Sequence, residues 1–134
     1  MDAASLTALD RERYVSLVTY RRTGRGVATP VWLALDGDRF YVFTEARSGK
    51  MKRLRSDPRV RLAGCNARGK VHGAAYEGRA VPRDDPEAVA RAYRALRAKY
   101  GWQMRLTDFF SRLAGRIDGR AILEIEVFGP ASGD

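Results

Sequence analysis

Residues 30–64 read PVWLALDGDRFYVFTEARSGKMKRLRSDPRVRLAG, and the order of signals in this stretch decides the fold. Asp36-Gly37-Asp38 predicts a hairpin turn, because Asp-Gly tolerates the positive φ angles that two-residue turns need. The flanking runs, VATPVWLALD at 27–36 and RFYVFTE at 39–45, are rich in β-branched and aromatic residues and predict two antiparallel strands. Pro30 removes one ladder donor, which puts an edge or a bulge in the first strand. SGKMKRLRSD, 48–57, predicts a short helix: Ser48 can cap it, and Met51 with Leu54 makes an i, i+3 apolar stripe. Pro58 bars its continuation, since the residue before a proline avoids the helical region. RVRLAGCN, 59–66, sets Val60 and Leu62 against Arg59 and Arg61, the alternation of a half-buried strand.

Working outward, SLTALDRE at 5–12 predicts a short helix with Ser5 as its cap, and YVSLVTYRR at 14–22 a strand. Thr23-Gly24-Arg25-Gly26 turns the chain. The motif Gly24-x-Gly26 lacks a third glycine, and strand rather than helix follows it, so a dinucleotide-binding βαβ unit is excluded. Downstream, Ala67-Arg68-Gly69-Lys70 is a turn, and 70–82 is a long strand in which Gly73 and Gly78 mark a corner or a close backbone approach. Asp84-Asp85-Pro86-Glu87 starts a helix whose apolar face is Val89, Tyr93, Leu96 and Tyr100, ended by Gly101. A further helix at about 103–114 places Leu106, Phe109, Phe110 and Leu113 on one side. Arg120–Phe128 closes the series as a strand, with Leu123, Ile125 and Val127 on one face. About six antiparallel strands with helices inserted between them make a mainly β (α+β) chain. That order suits a small closed barrel better than a doubly wound sheet.

The chain has 134 residues, the size of one domain, so residues 1–134 are read as a single unit. No apolar run approaches the roughly 20 residues that span a bilayer, and the first residues lack the apolar core of a signal peptide. The expectation is a cytoplasmic protein that does not enter a membrane. One Cys and one His exclude an internal disulfide and a Cys/His zinc site. Cys65 reads as a small buried hydrophobe and His72 as a plain strand residue. Every Ser-His-Asp arrangement would need His72, and no serine sits in a nucleophile elbow.

Charge is concentrated. Lys and Arg number 25 against 16 Asp and Glu, giving +9, and segment 47–70 carries nine of the basic residues against one acid, Asp57. Such a patch focuses an anionic partner: nucleic acid, a phosphorylated cofactor or acidic lipid. Between residues 47 and 70 there is no Phe, Tyr or Trp to stack on bases, which counts against nucleic acid. Within the segment, Thr44 ends a strand, and Ser48-Gly49 would present backbone N–H groups at a helix start. Lys50 and Lys52 flank that start, with Arg55 one turn on. Donors, helix dipole and full cations meet at one spot, which is how proteins hold a phosphate.

These pieces together resemble the split-barrel flavin/deazaflavin oxidoreductases, the pyridoxamine-phosphate-oxidase-like superfamily, and within it the actinobacterial coenzyme F420-dependent branch. The resemblance spans roughly residues 10–128. It rests on Pro30-Val31-Trp32, Asp36-Gly37, Phe43-Thr44, Ser48-Gly49-Lys50-Met51-Lys52, Asp57-Pro58-Arg59-Val60 and Glu77-Gly78-Arg79-Ala80, in that order. It implies a homodimer of six-stranded split barrels with a cofactor groove at the subunit interface. It also implies that Lys50 and Lys52 bind the phosphate, with Thr44, Ser48 and Gly49 as the polar loop beside it. Thr29, Pro30, Val31 and Trp32 would be the strand under the ring, with Arg55 and Arg68 as extensions; Trp32 reads equally as core packing.

Of the cofactors such barrels hold, FMN has one phosphate, whereas F420 has a phosphodiester followed by several carboxylates. The arginines beyond the two lysines (Arg47, Arg53, Arg55, Arg59, Arg61 and Arg68) suit the polyanionic tail. The expectation is therefore an F420-dependent reductase acting on a small unsaturated or quinone-like substrate. The alternatives are an FMN enzyme or a non-catalytic cofactor- or haem-type binding protein on the same barrel, and more remotely a basic nucleic-acid-binding barrel. Hydride chemistry would belong to the ring, with the protein orienting it. Tyr76, His72 and Arg68 are candidate proton donors, while Glu77 reads as structural, and no catalytic residue is assigned.

Overall fold

The computed structural model describes residues 1–45, 47–101 and 120–131. The helix expected at about 103–114, with Leu106, Phe109, Phe110 and Leu113, lies outside them. Among the described residues, three helices and seven strands follow in the order α1 (Ala3–Asp10), β1 (Tyr14–Tyr20), β2 (Gly26–Val31), β3 (Ala34–Asp36), β4 (Arg39–Glu45), α2 (Gly49–Ser56), β5 (Arg59–Cys65), β6 (Val71–Arg83), α3 (Pro86–Tyr100) and β7 (Arg120–Pro130). The caps follow local chemistry. Ser48 accepts from Met51 N–H at the start of α2, and Asp85 accepts from Ala88 N–H at the start of α3, with Pro86 in its first turn. α1 begins earlier than Ser5 would allow, because the Asp2 carboxylate takes the Ser5 N–H at 2.8 Å and caps the helix itself.

All strand pairs are antiparallel, in one sheet of order β2-β1-β5-β6-β7-β4-β3. The strand expected over 27–36 is two strands, which makes seven rather than six, and the sheet is not closed by hydrogen bonds. Its two edges, β2 and β3, are nonetheless halves of one segment, joined by Trp32-Leu33. Two intervening residues span roughly 10 Å at most, so the sheet must curl until its edges nearly meet. Pro30 sits in an edge strand, where a missing ladder donor is tolerated. The break falls two residues later. There the Leu33 N–H donates to Tyr100 Oη at 3.1 Å, and the Leu33 carbonyl accepts from Lys99 Nζ at 2.6 Å. A bend that forfeits ladder bonds is thus satisfied by two side chains from the end of α3.

Inside the curled sheet lie Val15, Leu17, Phe40, Val42, Leu62, Leu123 and Ile125, with Met51 and Leu54 of α2 packed among them. A second cluster forms where α3 covers the outer face of β3, β4 and β7: Ala92, Leu96 and Tyr100 against Ala34, Tyr41, Phe43 and Ile122. The helix face expected from Tyr93 and Leu96 therefore covers the sheet. Gly78 is a close approach, as its place in the strand predicts. A Cβ there would run into the Glu126 carbonyl oxygen, beside a register shift between Glu77 and Gly78.

Candidate functional site

Continued past Ala34 and Tyr41, the β3–β4 register would set Val31 opposite Thr44. Instead β2 leaves β4 and pairs with β1. The sheet splits here, with Thr29–Val31 on one side and the end of β4 leading into α2 on the other. Thr44 is buried, and its Oγ1 lies 3.2 Å from Ser48 Oγ, which also accepts from Met51 N–H at 3.3 Å. As in any α-helix, the N–H groups of Gly49 and Lys50 in the first turn have no intrahelical acceptor, and the positive end of the dipole lies there.

The cations divide by helical position, since residues two apart sit about 200° round the axis and residues three apart about 60°. Lys50 is half-buried, while Lys52 and Arg55 are exposed on the other face. Lys50 faces Arg53, not Lys52. Burial first, and the Arg53 charge second, hold the Lys50 ammonium below its ordinary range, with the Glu45 carboxylate offsetting this in part. Arg53 is likewise held low, by burial and then by Arg21. Its Nε donates to Thr19 Oγ1 at 2.6 Å, and its Nη1 would lie 2.8 Å from a Cβ placed on Gly49. Glycine therefore leaves room for a guanidinium beside the first turn. The sequence offers Arg53 only as part of a general arginine excess; the fold sets it beside Lys50.

Thr29 lies on the same face of the β1–β2 ladder as Thr19, two register pairs along, and its Oγ1 is buried without a hydrogen-bond partner among the described residues. An orphaned buried hydroxyl is uncommon, because leaving one unmade costs roughly 1–3 kcal/mol. Pro30 is exposed and Val31 is buried in the core. The Trp32 indole stacks on Tyr100, with centroids 4.5 Å apart and planes 9° from parallel. Its side chain is thus part of the α3 packing, and only its backbone lies along the split.

Other expected residues lie apart from this spot. Arg68 is exposed in the β5–β6 turn, held by Asn66, and the neighbouring Gly69 approaches Pro30. His72 is exposed, with Nε2 3.4 Å from the Glu12 carboxylate, and Tyr76 packs against the inner core. Arg47 is exposed. Arg59 is engaged by Asp57 at 2.7 Å and lies over the Tyr20 ring, and Arg61 reaches Glu77 at 3.8 Å. Cys65 is buried, and burial followed by the Glu12 charge pushes its thiol up, so it is a neutral hydrophobe as its sequence context suggests. No group of three or more His, Cys, Asp or Glu side chains among the described residues could hold a metal ion. A groove of about 470 Å³ lies elsewhere, between β3 and α3, where Asp10 pairs with Lys99 and Asp36 with Arg91, and Arg94 also lines the wall. No described helix is long and apolar enough to cross a membrane.

Residues 1–128 match the family model for pyridoxamine 5'-phosphate oxidase. No curated protein matches the sequence. Among solved structures, a conserved hypothetical protein of Mycobacterium tuberculosis is similar at TM-score 0.68 and 20% identity, covering 96% of this chain and 85% of that one. An FAD-binding protein of Mesorhizobium loti is similar at TM-score 0.66 and 16% identity, covering 98% and 96%. An F420 reductase is similar at TM-score 0.56 and 18% identity, covering 98% and 97%. At these identities the likeness is one of fold.

Proposed function

The chain belongs to the pyridoxamine 5'-phosphate oxidase family, and from that premise we propose that it is an oxidoreductase that binds coenzyme F420 at the split. The observation that carries the reading is the gathering of Lys50, Arg53 and Arg21 at a serine-capped helix start, with the Thr29 hydroxyl, unpaired among the described residues, on the ladder face that Arg53 reaches through Thr19. Like charges are brought together in a fold at a cost, and an anion between them removes it. Lys50, Arg53 and the N–H groups of Gly49 and Lys50 would hold the phosphate. Lys52 and Arg55 would add longer-range attraction from the outer face. Thr44 and Ser48 line the approach, Thr29 offers its hydroxyl, and the backbone of Pro30, Val31 and Trp32 runs beneath the ring. A second copy of the chain would complete the groove, with Arg68 on its rim.

The chemistry supplied by a bound deazaflavin is hydride transfer to an electrophilic, unsaturated or quinone-like substrate. The protein binds the anionic end, orients the ring along β2 and excludes water with the buried base of the split. His72 pairs with Glu12 and Tyr76 faces the core, so neither is assigned as a proton donor.

FMN is the second reading, and one observation favours it: Arg59 and Arg61, two arginines that would suit a polyanionic tail, are engaged by Asp57 and Glu77. Fluorescence titration of the purified protein with F420 and with FMN separates the two. Micromolar binding of F420, tighter than FMN, is expected. Tighter FMN binding would favour the second reading, and binding of neither would remove the assignment.

A further inference from the structure

We infer that the β1–β2 hairpin, through Arg21, Arg22 and Arg25, is a second anion-binding region continuous with the α2 site, and that it takes the carboxylate tail of the cofactor. The inference rests on the reading above and names residues that the motif pattern leaves out.

The hairpin is a defined turn. Arg21 N–H donates to the Arg25 carbonyl at 2.9 Å, Gly24 N–H to the Arg21 carbonyl at 2.8 Å, and Gly24 takes φ +89°. Three guanidinium groups thus project from five residues, and all three residues are exposed. No Asp or Glu occurs between Glu12 and Asp36, and none of the three arginines has an ion-pair partner among the described residues. The basic residues of β5 behave differently, since Arg59 and Arg61 each meet a carboxylate.

Arg53 ties the hairpin to the phosphate site. Its guanidinium reaches from beside Gly49 to Thr19 Oγ1, two residues before Arg21. From Thr19 to the turn is roughly 10 Å of strand, so a ligand anchored at Lys50 meets the arginines only if it carries further anions at that reach. A single phosphate does not; a phosphate followed by several carboxylates does. Each exposed Arg–carboxylate contact is weak alone. Several carboxylates on one anchored tail act at high effective concentration, and the arginine fork matches each of them.

The test measures fluorescence affinities, at low salt and at 0.15 M salt, for F420 with a long oligoglutamate tail and for the same deazaflavin phosphate without glutamates. The wild type should bind the long-tailed form five- to tenfold more tightly, and the preference should shrink with salt. Arg22→Ala/Arg25→Ala, which leaves Arg21 beside Arg53 in place, should lose most of that preference while its affinity for the tail-less form changes less than twofold. Arg22→Glu, a single exposed change, should lose part of it and guards against misfolding of the double variant. A wild type that binds both forms equally, or variants that keep the preference, would overturn the hairpin assignment and leave the phosphate site standing. A wild type that binds neither form would overturn both. Competition by a single-stranded oligonucleotide as strong as that by the long-tailed form would assign the arginines to another polyanion and overturn the tail reading.

Discussion

At the end of α3, Lys99 lies 3.7 Å from Asp10 and donates to the Leu33 carbonyl, and Tyr100 Oη bonds Leu33 N–H and the Arg13 carbonyl. Nearby, Glu124 accepts from both Tyr41 and Arg83, and Asp85 takes the other side of Arg83. At the start of α2 the pattern inverts. Burial and then the Arg53 charge hold Lys50 low, burial and then the Arg21 charge hold Arg53 low, and the buried Thr29 hydroxyl has no partner among the described residues. Both helices pack on the same barrel, so the difference is not one of burial. Polar groups that hold a fold together arrive with their partners. A site that waits for a ligand carries the mismatch itself.

The largest expected effect is at Tyr100. Tyr100→Phe leaves the buried Leu33 N–H unpaired, and should lower unfolding stability in urea by about 2 kcal/mol with cofactor affinity unchanged within twofold. A binding loss as large as the stability loss would mean that the α3 side belongs to the site. The complementary change is Lys50→Ala. It should weaken F420 binding more than tenfold with the melting temperature nearly unchanged, whereas Lys52→Ala should cost about twofold, because Lys52 points to the other face. Equal effects of the two lysines would return the site to a diffuse basic surface.

A finer probe is Gly49→Ala. Its methyl would displace the Arg53 guanidinium without removing a charge, so affinity should fall several-fold while stability holds or rises slightly. The smallest effect is one of pH. Burial pushes the Lys99 ammonium down to about 8. Between about pH 8 and 10 the unfolded chain keeps a proton there that the folded chain gives up, so stability rises with pH across that window. Above it the rise ends, because the Tyr100 hydroxyl is held above its usual range and unfolding then releases its proton. Lys99→Met should flatten a rise of about 1–2 kcal/mol in urea denaturation between pH 8 and 9.5. A rise that persists in the variant would place its source elsewhere.

Much of the barrel was legible in local sequence. Asp36-Gly37 set the β3–β4 hairpin, Ser48 capped α2, Pro58 stopped it, and Asp85-Pro86 started α3 as expected. The break at Trp32-Leu33 was not legible, because the groups that satisfy Leu33 come from Lys99 and Tyr100, more than 60 residues away in the chain. Pro30, the local signal for irregularity, needed no break once β2 lay at an edge. The candidate site was read in part. Strand, threonine, serine cap and Lys50 come from one short stretch, whereas the pairing of Lys50 with Arg53 needs the helix to be built, and Arg21 needs β1 laid beside it. Arg59 and Arg61 misled for the same reason: Asp57 is near in sequence, but Glu77 reaches Arg61 only through the β5–β6 ladder.

On the proposed reading, the first turn of α2 grips the anionic end of a flavin-type cofactor. A crystal structure of the protein with F420 or FMN tests it most directly. Phosphate oxygens are expected within hydrogen-bond reach of Lys50 Nζ and the Gly49 and Lys50 N–H groups, with the ring along Thr29–Trp32. A cofactor bound elsewhere, with the Lys50 ammonium turned to bulk water, would contradict it.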